Sequence, residues 1–308
     1  MRDMGLVRQP IEERSLVGTL FHPSASAPRP AVIALGGAGG GLSEGGAETL
    51  AVEGFAALAL AYFGIDPLPE DLVEIPLEYF ERAIAWLKAQ PEVDADRVAI
   101  VGNSKGGELA LLLGATYPEA IKAVVGYAPS GVVWQGIPFD REAYHGGPRS
   151  PWSLRGEPVP FAVPSGPRAF EVVRMTESFF DGRPISTRSF YERALDDETA
   201  VAAASIAVEK IDAPVLLVSG TDDRLWPSTR LSEMVIERLK AHDHAFPCEH
   251  LCYERAGHLV SLPGYEPARS WENRFELGGS RKANELANAD SWTKVLGFLK
   301  EHLEHDAV

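Results

Sequence analysis

Short runs of Val, Ile, Leu and Ala recur along the chain, each followed by a longer stretch in which apolar residues return with helical spacing. The runs fall near 16–21, 30–35 (Pro-Ala-Val-Ile-Ala-Leu), 56–62, 98–101, 123–127, 214–219 and 249–254. Being continuously apolar rather than alternating, they predict strands buried on both faces. Between them, Leu77, Phe80, Ile84 and Leu87 form one apolar stripe, and Trp292, Val295, Leu296 and Leu299 form another near the end. Strands alternating with helices in this way predict a mostly parallel, twisted α/β sheet with helices on both faces.

One region breaks the rhythm. From about 137 to 205 the chain is rich in Pro, Gly, Arg and aromatic residues, and it lies between two predicted core strands. A long insertion at such a place predicts a cap over an active site; the alternative is an irregular surface excursion. No internal repeat or low-complexity tract is present. The 308 residues are read as a single domain, 1–308, carrying a cap-like insertion at 137–205.

Composition narrows the setting. With 45% hydrophobic and 24% charged residues the chain has the mix of a soluble globular protein, large enough to bury a core without disulfides. Cys248 and Cys252 lie four apart in one short segment, expected on one face of a strand, and read as free thiols suited to a reducing compartment. The net charge of −15 argues against nucleic acid as a partner. The start, Met-Arg-Asp-Met-Gly-Leu-Val-Arg, lacks the apolar run of a secretory signal. No stretch approaches the roughly 18–20 apolar residues of a membrane span. A cytoplasmic protein with no membrane association is the expectation, and nothing in the sequence indicates an oligomeric state.

The chemistry concentrates at three loops. The predicted strand at 98–101 runs into Gly102-Asn103-Ser104-Lys105-Gly106, followed by a helical stretch from Glu108 to Tyr117. G-x-S-x-G between a strand and a helix is a nucleophile elbow: the turn lifts a serine hydroxyl clear of the sheet edge and sets it at a helix N-terminus. Side chains at 102 and 106 would collide with the neighbouring strand and helix. Lys105 is expected to be a solvated neighbour whose useful group is its backbone N–H. The alternative for this motif is an ordinary tight turn.

A serine hydroxyl needs a base, and the base needs an orienting acid. After the strand at 214–219 comes Gly220-Thr221-Asp222-Asp223-Arg224-Leu225-Trp226-Pro227, and after that at 249–254 comes Ala256-Gly257-His258. The order Ser, Asp, His is that of the α/β hydrolases. Two aspartates compete as the acid. The usual place, three after the glycine and four before the proline, selects Asp223, leaving Asp222 to cap the turn or the next helix. His258 alone could be a loop histidine on a backbone hydrogen bond; with Ser104 and Asp223 in order it reads as the base. His242, His244 and His250 cluster near the cysteines without the tight spacing of metal ligands, and read as a solvated helix end and loop. A tetrahedral intermediate also needs preorganised donors. The N–H of Lys105 is one, and the second is expected from Gly37 or Ala38 within Gly36-Gly37-Ala38-Gly39-Gly40-Gly41. That loop lacks the G-K-[ST] ending of a phosphate loop and the spacing of a dinucleotide fingerprint. The expected chemistry therefore needs no metal and no organic cofactor.

These residues resemble a known family. Leu77 to Ala83, Gly102 to Leu109 (Gly-Asn-Ser-Lys-Gly-Gly-Glu-Leu), Gly220 to Ser228 and Ala256-Gly257-His258 look like the catalytic domain of acyl-CoA thioesterases. That group includes bile acid-CoA:amino acid N-acyltransferase and lies within the dienelactone-hydrolase-like α/β hydrolases. Leu277-Gly278-Gly279 with Ala283 to Trp292 resembles its last loop and helix, and the likeness spans about 15–303, weakest in the insertion. Two departures stand out: the mammalian members carry an N-terminal β-sandwich that this sequence is too short to hold, and the insertion differs from theirs. The resemblance implies a Ser104–Asp223–His258 triad acting on an acyl thioester, with an acyl-CoA as the small-molecule partner. Serine matches the thioesterases, whereas the amino-acid transferase uses cysteine, which favours hydrolysis over transfer. Remaining readings are a carboxylesterase or lactone hydrolase, an acyltransferase, and an inactive fold used for binding. The insertion holds eight Arg against ten acidic residues, making it the least acidic region and the one best suited to CoA phosphates.

Overall fold

The computed structural model describes residues 5–13, 15–24, 27–139, 146–265 and 274–304. The first four residues and positions 140–145 of the insertion lie outside them. The strands in chain order are β1 (Leu6–Pro10), β2 (Val17–Pro23), β3 (Arg29–Leu35), β4 (Ala56–Ala61), β5 (Ile75–Pro76), β6 (Val93–Asn103), β7 (Ala123–Tyr127), β8 (Trp152–Leu154), β9 (Glu157–Pro158), β10 (Val215–Gly220) and β11 (Cys248–Tyr253). The helices are α1 (Gly45–Val52), α2 (Leu77–Lys88), α3 (Lys105–Thr116), α4 (Ala169–Asp181), α5 (Arg188–Ala194), α6 (Glu198–Ala204), α7 (Ser228–Ala241) and α8 (Arg281–Glu304).

Among the described residues the main sheet has the order β1-β2-β4-β3-β6-β7-β10-β11. β1 and β2 run antiparallel, and every pairing from β4 and β3 through β11 is parallel. Successive side chains of a strand point to opposite faces. Ile33, Leu35, Val98, Ile100, Val215 and Leu217 accordingly pack on one side, under α2, α3 and α7. Val32, Ala34, Ala99, Val101, Leu216 and Val218 pack on the other, under α1 and α8. The chain leaves β3 toward β4 on one side and returns to β6 on the other. The loops after β3 and β6 therefore diverge at a switch point, the place where open α/β sheets take their ligands.

Three differences from the sequence pattern have physical causes. β1 was not expected; it is an exposed antiparallel edge whose mixed residues carry no apolar run. β6 begins at Val93, well before the apolar run at 98–101, because its first part is partly exposed and joins β3 through a register shift between Arg29 and Ala31. β11 is not buried on both faces: as the last strand it leaves Cys252 exposed while Leu251 packs inward. Both cysteines are free.

The insertion supplies β8, β9, α4, α5 and α6. It shares a small apolar cluster with the scaffold, in which Ala194, Leu195 and Val201 pack with Trp134, Trp226 and Leu231. Among the described residues no helix is long and apolar enough to cross a membrane. Ile100 is fully buried in the strand that carries the elbow. Replacing it with alanine should lower the unfolding free energy by about 2–5 kcal/mol, read from urea denaturation.

Candidate active site

Ser104 stands where β6 ends and α3 begins, with φ 55° and ψ −119°. A non-glycine residue there costs on the order of 1–3 kcal/mol and persists only where its surroundings over-determine it. They do so here. The Ser104 N–H donates to the Tyr127 carbonyl at 2.7 Å. A β-carbon on Gly102 would lie 2.0 Å from the Gly106 carbonyl oxygen, and one on Gly106 would lie 2.3 Å from that of Gly36. The strand, the helix and the loop after β3 thus meet backbone to backbone.

Three loops at the carboxyl ends of β6, β10 and β11 bring the predicted side chains together. His258 Nε2 is 2.8 Å from Ser104 Oγ, and His258 Nδ1 is 2.8 Å from Asp223 Oδ2. Asp223 is fully buried, and its Oδ1 accepts the N–H groups of Leu225 at 3.0 Å and Trp226 at 3.2 Å. The carboxylate is thereby fixed with one oxygen aimed at the imidazole. The Trp226 ring stands edge-on to the imidazole at 5.7 Å, and the His258 N–H donates to the Leu277 carbonyl at 2.7 Å. Asp222 faces elsewhere: its Oδ2 accepts from Gly279 N–H at 2.9 Å and its Oδ1 from Arg224 at 3.0 Å, pulling its carboxyl below the usual range against an opposing effect of burial. It caps neither helix nor its own turn. It joins the loop after β10 to the one before α8.

The predicted oxyanion donors are not equivalent. Lys105 is the first residue of α3, so its N–H has no partner within the helix. Ala38 lines the same cavity as Ser104 and His258. The Gly37 N–H, by contrast, is taken: it donates to Tyr265 Oη at 3.2 Å. Tyr62 holds the loop from the other side, donating its hydroxyl to the Gly36 carbonyl at 2.7 Å.

Lys105 requires a correction. It is not solvated but only 3% exposed. Its ammonium donates to Glu108 at 2.9 Å and to the Trp134 carbonyl at 2.7 Å. Glu108, fully buried, also accepts from Trp152 Nε1 at 3.0 Å and from the Trp134 N–H at 3.3 Å. Burial pushes the Glu108 carboxyl up and the Lys105 ammonium down, and their contact opposes both shifts. Glu108 meets donors only, which is the environment of a carboxylate. The sequence carried a signal for this pair, since a Lys and a Glu three apart are the only charges in the helix Lys105–Thr116, whose other positions are apolar apart from its last residue.

Asn103 was also missed. Buried inside the elbow, its Oδ1 accepts the Leu262 N–H at 3.1 Å, tying the segment after His258 to the Ser104 turn. The outlying histidines are spoken for: His242 with the Arg238 carbonyl, His244 with that of Ala213 and His250 with Ser219 Oγ. Burial lowers the pKa of His250. Among the described residues no group of His, Cys, Asp and Glu could hold a metal.

The cavity is walled by Ala38, Leu225, Leu259, Val260, Tyr265 and Leu277 around Ser104 and His258. No described residue of the insertion lines it. The insertion instead meets its rim: Ile185 pairs with Phe275, and Thr187 donates its hydroxyl to the Leu225 carbonyl at 2.6 Å. Arg149, Arg183, Arg188 and Arg193 are each paired with a carboxylate.

The sequence family described as "BAAT / Acyl-CoA thioester hydrolase C terminal" matches residues 75–305. Human acyl-coenzyme A thioesterase 6 is 30% identical over 304 residues, covering 97% of this chain and 66% of its own length. The chain thus spans just under two thirds of that relative. Among solved structures, an α/β hydrolase from Penicillium sp. sh18 matches with a TM-score of 0.53 at 19% identity, over 98% of this chain and 99% of that one. A dienelactone hydrolase-like promiscuous phosphotriesterase from metagenomic libraries matches with a TM-score of 0.53 at 19% identity, over 96% and 98% of the two chains. The fold is that of the α/β hydrolases, as the strand–helix pattern and loop order predicted.

Removing one partner of the buried pair should be worse than removing both. Lys105→Met or Glu108→Leu alone should cost about 3–5 kcal/mol of stability, whereas the two together should recover part of it. A double-mutant cycle in urea checks this, and additive losses would contradict it.

Proposed function

Because the chain belongs to the BAAT / acyl-CoA thioester hydrolase C-terminal family, we propose that it is a serine hydrolase that cleaves acyl-CoA thioesters through an acyl-enzyme. The observation that carries this reading is the unbroken chain from Ser104 Oγ through the imidazole to a fully buried carboxylate, with both links at 2.8 Å. In this reading Ser104 is the nucleophile, His258 the base and Asp223 its orienting acid.

The steps follow from that geometry. Ser104 Oγ attacks the carbonyl carbon as its proton passes to His258 Nε2, and Asp223 stabilises the imidazolium. The carbonyl oxygen, now negative, accepts from the N–H groups of Lys105 and Ala38. The C–S bond breaks, and the departing thiolate takes the proton from His258. Water then attacks the acyl-serine as its proton passes to His258, and the bond to Ser104 Oγ breaks as Oγ takes that proton back, releasing the carboxylic acid. Hydrolysis is the reading for the acyl-serine because residue 104 is serine, as in the thioesterases the chain resembles, whereas the amino-acid transferase uses cysteine. The insertion serves in this account as a cap that flanks the rim rather than roofing it, within a single domain.

A second reading, a carboxylesterase or lactone hydrolase, is favoured by the paired arginines. Four of the insertion's arginines already have carboxylate partners, which leaves fewer for the phosphates of CoA.

Acyl-CoA thioesters and p-nitrophenyl esters of graded chain length should separate the two, with higher kcat/KM on the CoA thioesters. Turnover of simple esters alone would favour the second reading. Ser104→Ala should remove labelling by an alkyl phosphonate and lower kcat by several orders of magnitude with the fold intact. Asp223→Asn should lower kcat by roughly 10³–10⁴-fold, and Asp222→Asn by far less. The reverse order would reassign the acid.

A further inference from the structure

We propose that the phenol of Tyr265 is a direct hydrogen-bond donor to the substrate carbonyl oxygen, a third arm of the oxyanion site beside the N–H groups of Lys105 and Ala38. The proposal rests on the serine-hydrolase reading and assigns a further catalytic residue to it.

The case begins with the unspent proton of the hydroxyl. Tyr265 Oη accepts the Gly37 N–H at 3.2 Å, which uses one of its lone pairs. Its single O–H donates to no described residue. Tyr265 is half-buried and lines the cavity, so its O–H is available to an acceptor that enters there.

Place comes next. Tyr265 lines the cavity that holds Ser104, His258 and Ala38. A β-carbon on Gly37 would lie 2.8 Å from Tyr265 Oη and 3.3 Å from Ser104 Cβ. The phenol oxygen and Ser104 Cβ thus both lie close to one point beside Gly37, no more than about 6 Å from each other, on the side where the loop after β3 approaches. An acyl carbonyl seated on Ser104 would direct its oxygen into that region, among donors already present.

The hydroxyl is also held still. The Tyr265 N–H donates to the Leu262 carbonyl at 3.0 Å. Leu262 is in turn fixed by Asn103 Oδ1 at 3.1 Å, and Ser261 by Asn288 Oδ1 at 3.0 Å. Asn103 adjoins the nucleophile, so the elbow itself sets the position of the phenol. Donors fixed before the reaction stabilise developing charge without reorganising.

Electrostatics agree with a donor. Burial raises the Tyr265 pKa, with the Gly37 N–H opposing it weakly, so the hydroxyl keeps its proton across neutral pH. The N–H received from Gly37 polarises the O–H and strengthens what it donates. Gly37, expected from the sequence as a donor in its own right, would thus act through the tyrosine.

The decisive variants remove or retune the O–H while keeping the ring. Tyr265→Phe should lower kcat on an acyl thioester by ~10²–10³-fold with KM changed only a few-fold. It should weaken a trifluoromethyl ketone, which forms a tetrahedral adduct on serine, by a similar factor. A kcat within a few-fold of wild type would overturn the proposal while leaving the serine-hydrolase reading intact. Ser104→Ala retaining wild-type turnover would overturn both. A variant bearing a ring-fluorinated tyrosine at 265 separates a donor from a prop for Gly37. Its more acidic phenol becomes a phenolate as pH rises, still accepting the Gly37 N–H but no longer donating. The other titratable groups at this place, Tyr62 and His258, are common to both proteins. Loss of kcat through the phenol's own ionisation, absent from the tyrosine enzyme, is the expected result. Superimposable pH profiles would mean that Tyr265 only supports the loop, and would sink the proposal.

Discussion

The organisation of this end of the molecule depends on one strained residue. Ser104 is held at positive φ, and it stays there because β6, α3 and the loop after β3 approach too closely for any side chain at Gly102 or Gly106. That contact determines where the serine hydroxyl points, which N–H groups surround it, and how near the glycine loop can come. The His258 and Asp223 loops then need only present side chains from β11 and β10 at the same sheet edge. Strain of this kind is tolerated because the fully buried strands on both sides cannot relax without unpacking the core.

Behind the serine lies a second constraint, electrostatic rather than steric. Lys105, Glu108, Trp134 and Trp152 form a closed network in which the carboxylate meets only donors. Trp134 opens the chain toward the insertion, and Trp152 lies within it. A network with few ways of being satisfied selects one arrangement of those segments over others, even where its contribution to stability is small. It also explains why Lys105 is long and charged yet hidden: its tail is an anchor, while its N–H at the start of α3 has no partner within the helix.

The sequence made the strand–helix alternation, the elbow and the order of the three candidate side chains legible because each follows from local rules. Apolar runs report double burial, and glycines at fixed offsets report close backbone approach. Asp223 could be preferred over Asp222 by its distance from Gly220 and Pro227. What could not be read depended on tertiary partners. The edge strand β1 lacks an apolar signature, and Lys105 looks like any surface lysine until Glu108 and two tryptophans close around it. Gly37 and Ala38 looked interchangeable, and only the approach of Tyr265, far along the chain, distinguishes their N–H groups. The arginine count of the insertion likewise could not show that Arg149, Arg183, Arg188 and Arg193 are matched by carboxylates.

The pairing of Ile185 with Phe275 has a consequence for how such proteins diversify. Residues 274–276 lead directly into Leu277, whose carbonyl holds the backbone of His258. The insertion is therefore spliced to the scaffold at two kinds of seam: one tolerant of change, where it meets solvent, and one braced against the support of the imidazole. Swapping in a different insertion would preserve the chemistry only if the newcomer reproduced that brace. Variation should accordingly accumulate along α4, away from residue 185, and a chimera that ignores the seam should lose alignment of the imidazole before it loses its fold.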